Sequence, residues 1–469
     1  MALGADADMT SMLPTPIGRQ REVLALPPSG HIVVLGTAGS GKTTLAIHRA
    51  AFLSDSDTDH GGRTLLVTFN KCLVAYLRSL GAGLGQIDVR NYHHFARGYL
   101  NSRGKMSWNA IADGDTAEAC AQAAVDAVKA TGQMDEVLDR PIGFIAEEFR
   151  WLSQNRIMSV EEYMEAENDG REGSRVPPSG RPVVFTAYQH HRELRIAAGK
   201  PYDWDDLAHT VVSEFAADAS ERFYKHVIID EGQDFSPVML QSLAAAIPTD
   251  GSLTFFGDMA QQIYGHKISW RSAGLNVVNA WRFEENYRNS KQIAQLALAL
   301  ARSPFYRGVA DLIEPKSARA DGPLPALVGF RSEDAEMRFV EQLAQQYAKK
   351  GTVAVLFRDR NLEKCLRISA TRLHRDLASW PNGPGVFYGT YHAAKGLEFD
   401  AVIVPFASAG RLPHPPDVEA FGAEDAAASN AKLLYVAVTR AKSDLVLTHT
   451  GAPSALVPPD AALLQRHTR

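Results

Sequence analysis

Residues Gly36 to Thr44 read Gly-Thr-Ala-Gly-Ser-Gly-Lys-Thr-Thr and match the spacing G-x-x-x-x-G-K-[ST]. Glycines at this spacing let successive backbone N–H groups turn inward and cradle phosphate oxygens, with the positive end of the next helix behind them. Gly36, Thr37, Ala38, Gly39, Ser40 and Gly41 would form the cradle, Lys42 would reach the β- and γ-phosphates, and Thr43 would hold Mg²⁺. Such a loop needs a strand before it and a helix after it. His31-Ile32-Val33-Val34-Leu35 is a short apolar run suited to a buried parallel strand, and Leu45, Ala46, Ala50, Ala51 and Leu53 recur at helical spacing. The pattern predicts a nucleoside triphosphate as ligand.

A second chemical stretch is Val227-Ile228-Ile229-Asp230-Glu231, an apolar β-forming run that ends in two carboxylates. In a parallel sheet that places both at the C-terminal edge, where ligands sit. Asp230 is placed to share Mg²⁺ with Thr43, and Glu231 to polarise an attacking water. A further strand, Ser252–Phe256, delivers Gly257-Asp258 and then Gln261, whose side chain could tell a triphosphate from a diphosphate with one hydrogen bond.

These residues must be held by a large chain. Its 469 residues exceed one core and imply two to four domains. A hydrophobic fraction of 45% and a charged fraction of 22% are those of an ordinary globular protein. The net charge of -5 excludes a global basic field, so nucleic acid would need a local basic groove. Cys72, Cys120 and Cys365 lie far apart and indicate neither a disulfide framework nor zinc. The acidic start, Met1-Ala-Leu-Gly-Ala-Asp-Ala-Asp, is unlike a signal peptide, and no apolar run is long enough to span a membrane. The expected location is cytoplasmic, with no membrane partner.

Strand and helix signals alternate from about 17 to 95, with strands at His31–Leu35, Thr64–Phe69 and Ile87–Arg90. From 96 to 202 the strand signal fades into helices at Ala117–Ala130, Ile142–Ser153 and Val184–Ala197. The alternation resumes with helix Trp204–Ala217 and strands Lys225–Asp230 and Ser252–Phe256. A second αβ series follows, with helices Ser290–Arg302, Glu333–Ala348 and Ala426–Val438 and strands Ala326–Phe330, Val353–Phe357, Val386–Tyr388, Ala401–Val404 and Asp444–Leu447. The fold class is α/β with parallel sheets. The expected division is an arm at 1–16, a first αβ domain from 17–95 and 203–284, a helical insertion at 96–202, and a second αβ domain at 285–469. One sheet with two insertions is the competing architecture.

Motif by motif, the chain resembles the UvrD/Rep/PcrA group of superfamily 1 helicases, from about residue 14 to 449. Gln20 stands where that group places an adenine-reading Gln. Thr68-Phe69-Asn70-Lys71 and Tyr92-His93-His94-Phe95 resemble its strand-contacting motifs, and Asp203-Trp204-Asp205-Asp206-Leu207 the return of its helical insertion. Asn286-Tyr287-Arg288 resembles the opening of its second domain. The runs Thr390-Tyr-His392-Ala-Ala-Lys395-Gly396-Leu397-Glu398-Phe399 and Leu434-Tyr435-Val436-Ala437-Val438-Thr439-Arg440-Ala441-Lys442 are similar to its fifth and sixth motifs. The resemblance implies two RecA-like P-loop NTPase domains with ATP between them. It implies Lys42, Glu231, Gln261, Arg288 and Arg440 as catalytic groups, the two arginines reaching the γ-phosphate from the second domain. Tyr287 would offer a face to adenine, and Glu398 would lie on the nucleotide side. Phe69, Tyr92, Tyr264 and His266, in turns after strand ends, would stack on bases, at roughly 1–3 kcal/mol each. His93 and His392 lie in the same strand-contacting segments. Such contacts carry little sequence preference and do not separate DNA from RNA.

The chain also departs from that group. Thr44 stands where the group usually has an Arg packing on adenine, one residue is missing before Asn70, and His266-Lys267 replace an aromatic and an Arg. The short stretch from Phe357 to Thr390 implies a compact member without most of the second-domain insertion, and the short tail after Arg440 leaves no room for a nuclease. The expected function is an ATP-dependent translocase or helicase moving 3′ to 5′ on single-stranded or 3′-tailed DNA, in repair or recombination. The alternative is a DNA-stimulated ATPase acting as sensor or accessory subunit of a nuclease or phage-defence system. A P-loop kinase or transporter ATPase does not account for Gln261, Arg440 and the fifth motif together.

Overall fold

The computed structural model of the chain describes residues 15–16, 18, 20–37, 39–80, 86–133, 135–166, 176–258, 270–271, 273–283, 285–286, 288–306, 316–317, 321–374, 377, 379–381 and 383–469. The first half contains α1 (Gln20–Leu24), β1 (Gly30–Gly36), α2 (Lys42–Leu53), β2 (Thr64–Thr68), α3 (Lys71–Leu80), β3 (Ile87–Asn91) and α4 (Tyr92–Ser102). Helices α5 (Gly114–Ala130), α6 (Ile142–Gln154), α7 (Val160–Glu165) and α8 (Arg181–Ala197) follow, then α9 (Leu207–Ala217), β4 (His226–Ile229), α10 (Pro237–Ala244), β5 (Ser252–Gly257) and β6 (Val277–Phe283). The second half runs through β7 (Glu285–Asn286), α11 (Lys291–Ala301), β8 (Lys316–Ser317), β9 (Ala326–Phe330), α12 (Glu333–Tyr347), β10 (Thr352–Phe357), β11 (Thr371–Arg372), β12 (Gly385–Thr390) and β13 (Phe399–Val404). It ends with α13 (Pro415–Phe421), α14 (Ala423–Val438), β14 (Ala441–Thr450) and β15 (Gln465–Thr468).

The strands form two principal sheets, so the single-sheet alternative is set aside. One has the order β3-β2-β4-β5-β1-β6 and the other β11-β12-β10-β13-β14-β9-β15, with β7 and β8 paired separately. All the pairings within them are parallel. Parallel sheets are covered on both faces, which is why β4 and β5 are buried at every residue. The neighbouring order β4-β5-β1 brings three strand ends together: the phosphate loop, Asp230-Glu231 and Asp258. Among the described residues, no helix is long and apolar enough to cross a membrane.

Several elements differ from the sequence expectation. Asn91 accepts the His94 N–H at 2.9 Å and so starts α4 at Tyr92, where a turn was expected. Tyr92, Phe95, Ala96 and Leu100 then pack into the same core as Leu207, Val211 and Phe215, so this core reaches past residue 95. Helix α9 begins at Leu207 rather than Trp204, because the Asp203 carboxylate accepts the N–H groups of Asp205 (2.9 Å) and Asp206 (2.8 Å) and holds a turn there. Strand β6 was not expected at all. The helices α5–α8 enclose their own core around Phe149, Leu152, Tyr163, Val184 and Tyr188.

Another apolar cluster joins the two halves. It runs from Ile32, Leu45 and Leu53 through Leu73 and Leu77 of α3 to Phe387, Leu397 and Phe399. Gly396 sits at this seam with φ of +80°, and a β-carbon there would lie 2.6 Å from Leu73 Cδ2.

In the second half, Glu336 of α12 is wholly buried and accepts the Phe406 N–H at 2.8 Å, the Thr448 hydroxyl at 2.6 Å and the Thr450 hydroxyl at 2.7 Å. Replacing it by Leu strands three donors, so Glu336→Leu should destabilise the protein by about 2–4 kcal/mol. The check is the shift of the urea unfolding midpoint; a loss below about 0.5 kcal/mol would contradict the assignment.

Candidate nucleotide site between the two sheets

The loop after β1 holds its shape through its own side chains. Lys42 is buried, and its Nζ donates to the carbonyls of Gly36 (2.9 Å) and Thr37 (2.7 Å), with Asp258 Oδ2 at 3.6 Å. Burial lowers the Lys42 pKa, and Asp258, Glu231 and Asp230 oppose that fall. Gly39 and Gly41 have φ near +80°. A β-carbon on Gly39 would run into Asn286, and one on Gly41 would lie 2.8 Å from Gln20 Nε2. Gln20, on α1, donates to the Ser40 carbonyl at 2.9 Å. Thr44 is half-buried in the first turn of α2.

At the end of β4 the carboxylates Asp230 and Glu231 are both buried. Neither oxygen of Asp230 has a hydrogen-bond partner, although the Thr43 hydroxyl lies close enough to favour its ionised form. Burial, reinforced by Glu231, pushes Asp230 up to about 7. The buried hydroxyls of Thr37 and Ser40 are likewise unpaired. A buried carboxylate with two free oxygens beside a threonine hydroxyl suits a hard divalent cation such as Mg²⁺, and it lies next to the phosphate loop.

Glu231 takes the opposite course. It occupies the left-handed region at φ 54°, ψ 42°, and its Oε2 accepts Gln233 Nε2 at 2.6 Å. Burial alone would raise its pKa, yet Lys395, Arg440 and Lys42 together hold it below the ordinary glutamate range. Two of those three cations come from the second half of the chain. Gln233 also accepts the Asp258 N–H at 2.8 Å, so one amide ties two strand ends together.

The second half closes on this edge at several points. Lys395 forms a buried ion pair with Asp234, which burial raises to about 6 against the pull of Lys395. Arg288 pairs with Glu398 at 2.6 Å; burial would raise Glu398, but Arg288 and Lys442 hold it low. Arg440 is buried, donates to the Val436 carbonyl at 3.0 Å and the Leu397 carbonyl at 3.3 Å, and feels Arg288, Glu231, Glu398 and Asp258. Burial, with Arg288 beside it, lowers its pKa to about 10. Asn289 Nδ2 donates to the Thr439 carbonyl at 3.1 Å, while Asn286 Nδ2 donates to Asn289 Oδ1 at 2.8 Å and Asn286 Oδ1 accepts the Arg288 N–H at 3.0 Å. This pair of asparagines fixes the backbone that carries both arginines.

The strand-contact candidates scatter more widely. Tyr92 is fully buried with its hydroxyl 2.7 Å from Ser242 Oγ, so it is a core residue with no face open to a base, and that expectation is withdrawn. Phe69 lies edge-on to His93 (5.3 Å) and Phe235 (6.2 Å). His93 faces Trp204 at 5.1 Å and donates to its carbonyl at 3.1 Å, and burial lowers it to about 4, so the ring is neutral at pH 7. It lines a recess of about 250 Å³ with Lys71, Arg78, His94, Arg97 and Trp204. His392 is lowered to about 4 by burial, then by Arg358 and Lys395. Ala38, Gln261, Tyr264, His266 and Tyr287 lie outside the described residues.

Sequence reading missed Gln233, Asp234, Asp258, Asn286 and Asn289 as site residues. The first two continue the acidic turn directly after Glu231, and the asparagines show the i, i+3 spacing of a side-chain-locked turn, so a local signal existed in both places. Asn70 was read as part of a strand-contacting motif. Its Nδ2 instead donates across the seam to the carbonyls of Ala393 (3.2 Å) and Lys395 (2.7 Å).

Two helicase family models match the chain. The UvrD/REP helicase N-terminal domain family matches residues 18–287, and the UvrD-like helicase C-terminal domain family matches residues 360–451. The chain is 28% identical over 377 residues to ATP-dependent DNA helicase UvrD2 of Mycobacterium tuberculosis (strain ATCC 25618 / H37Rv), covering 72% of this chain and 51% of that protein. It is 25% identical over 318 residues to DNA helicase II of Escherichia coli (strain K12), covering 62% of this chain and 41% of that protein. The chain thus spans about half the length of these curated relatives or less.

Asp230 gives a pH signature. Its folded pKa lies above the ordinary aspartate value, so between about pH 4 and pH 7 the folded state holds a proton that the unfolded state has lost. Stability from this group therefore falls as pH rises through that window. Asp230→Asn should raise the melting temperature of the nucleotide-free, metal-free protein at pH 8 by a few degrees, and the gain should vanish near pH 4. Equal melting temperatures at pH 8 would contradict the placement.

Proposed function

The chain belongs to the UvrD/REP helicase family, and from that premise we propose that it is an ATP-dependent translocase that moves 3′ to 5′ on single-stranded DNA. The reading makes it a compact member, with two RecA-like domains, a helical insertion in the first and most of the second-domain insertion missing. The single observation that carries it is that buried Glu231 lies within electrostatic reach of Lys395 and Arg440 from the other half of the chain, which help hold it ionised. A carboxylate kept ionised by cations on a separate unit is a base whose readiness depends on apposition of the two units.

In this reading the phosphate loop and Lys42 bind the triphosphate, and Gln20 and Tyr287 meet the base. Thr43 and Asp230 would hold Mg²⁺, which would neutralise phosphate charge there. Glu231, oriented by Gln233, takes the proton of the attacking water. Arg440 and Arg288 meet the charge developing on the γ-phosphate, a contribution that can be worth ~10³–10⁵ in rate, and Gln261 reports whether that phosphate is present. Release of the leaving phosphate removes the anion that the two halves share, so the seam can reopen and shift its hold on the strand. Phe69, His93 and the basic recess at Lys71 and Arg78 supply the stacking and phosphate contacts of the first domain; Tyr264, His266 and His392 complete the track.

One feature favours a second reading, a DNA-stimulated ATPase serving as sensor or accessory subunit in repair or phage defence. Between β10 and β12 the described residues hold only the short strand β11 and a 3-10 turn at Arg360–Cys365, with no large helical insertion. The two readings separate on one experiment: ATP turnover with and without single-stranded DNA, beside strand separation on a 3′-tailed duplex. The proposal expects both stimulation and separation. Stimulation alone would favour the sensor, and no ATP turnover would sink both.

Two variants test the roles. Glu231→Gln should bind ATP within about threefold of wild type while turnover falls ~10²-fold or more. Arg440→Ala should lose ~10³-fold in turnover with ATP binding largely kept. Equilibrium binding beside steady-state kinetics gives both quantities, and a matching loss of ATP affinity in Arg440→Ala would argue against its role in the transition state.

A further inference from the structure

We propose that Arg49 is a positioning residue that sets base selectivity by fixing the short helix that carries Gln20. The inference rests on the proposed nucleotide reading of the site.

Helix α1 has only five residues, too few to be stable alone, and its last carbonyls lack partners inside the helix. The Glu22 and Val23 carbonyls accept the N–H groups of Ala25 (3.2 Å) and Leu26 (3.3 Å), and the Leu24 carbonyl, with those that follow it, is met from α2. Arg49 is wholly buried and donates through Nη1 to the carbonyls of Leu24 (3.1 Å) and Leu26 (2.8 Å), and through Nη2 to that of Pro27 (2.5 Å). Among the described residues no carboxylate pairs with it, and its guanidinium carbon lies 5.4 Å from the Phe52 ring centroid. Burial lowers its pKa to about 10, which still leaves it charged at pH 7. The compensation for this buried cation is therefore the negative end of α1 and the carbonyls just after it.

An apolar side chain could fill the same volume. A planar fork holds three carbonyls at fixed directions in a segment that repeats no regular structure, whereas the donors of an ammonium rotate. Arg49 thereby sets where α1 ends and how it lies on α2, with Val23 and Leu26 packed into the same cluster as Leu45 and Leu53. At the other end of α1, Gln20 is buried and donates to the Ser40 carbonyl, and Gly41 leaves it room that a β-carbon would take. A glutamine amide matches adenine bidentately, donating to N7 and accepting from N6. Guanine offers two acceptors at the same edge, so a fixed amide rejects it and a loose one does not. With Thr44 in place of a stacking arginine, selectivity leans on how firmly Gln20 is held.

The test uses the full chain with Mg²⁺ and displacement of a fluorescent ADP analogue by ATP, by GTP and by inorganic tripolyphosphate. Wild type should prefer ATP to GTP by at least tenfold. Arg49→Lys keeps the charge without the fork, and should cut that preference to about threefold or less while tripolyphosphate affinity stays within about twofold. Gln20→Ala should lose as much, and the double variant no more. Melting temperatures are recorded for each, and Arg49→Lys is chosen over an apolar replacement because it is the variant most able to fold. An unchanged ATP:GTP ratio in Arg49→Lys, an equal loss of tripolyphosphate affinity, or no purine preference in wild type would each overturn the proposal. Failure of DNA-stimulated turnover would leave the displacement ratios intact, so the two readings fail separately.

Discussion

Four buried carboxylates, Asp230, Glu231, Asp234 and Asp258, crowd one edge of the first sheet, and a single lysine of that half, Lys42, lies within electrostatic reach of Asp230, Glu231 and Asp258. Buried carboxylates at such density cannot all ionise unless cations reach them. The second half of the chain supplies the cations: Lys395 pairs with Asp234, and Arg440 stands within electrostatic reach of Glu231 and Asp258. Of the four, Asp230 has both oxygens without a hydrogen-bond partner, which marks the place where a metal ion would complete the charge balance.

The seam is built accordingly. Asn70 binds two carbonyls of the turn that carries Lys395, Gly396 lets Leu73 approach that turn, and Gly39 makes room for Asn286 beside the phosphate loop. Asn70 also lies between Phe69 and Lys71, so the segment that lines the basic recess is the one that grips the other half. A displacement at the recess is one side chain away from Lys395, and Lys395 is one ion pair away from the acidic turn after β4. This short chain of polar contacts is a physical basis for linking strand binding to nucleotide chemistry in the proposed cycle.

Much of the fold was legible in the sequence because parallel strands buried on both faces leave unbroken apolar runs, as in β1, β4 and β5. The phosphate loop and the acidic turn were legible because each follows such a run directly. Helix α4 was hidden because its start depends on the Asn91 cap and Tyr92 reads equally well as a strand-end aromatic; its burial against Ser242 is a tertiary fact. Gln233 and Asn289 were overlooked for a related reason. They act on other side chains and backbone groups instead of on a ligand, and a neutral amide shows no charge pattern to betray that work. The partners in the Asp234–Lys395 ion pair lie 161 residues apart in sequence, and only the closed arrangement of the two sheets discloses it.

The central claim is that the acidic edge of one sheet works only when the other sheet neutralises it. A double-mutant cycle on the pair at the seam tests this most directly: ATP turnover at saturating DNA for Asp234→Asn, Lys395→Met and the double variant, each with its melting temperature. The account predicts that each single change costs at least ~10-fold in turnover, and that the double variant is no slower than the worse of the two, since the same interaction is lost. Losses that simply multiply, or single variants that turn over ATP at the wild-type rate, would contradict it.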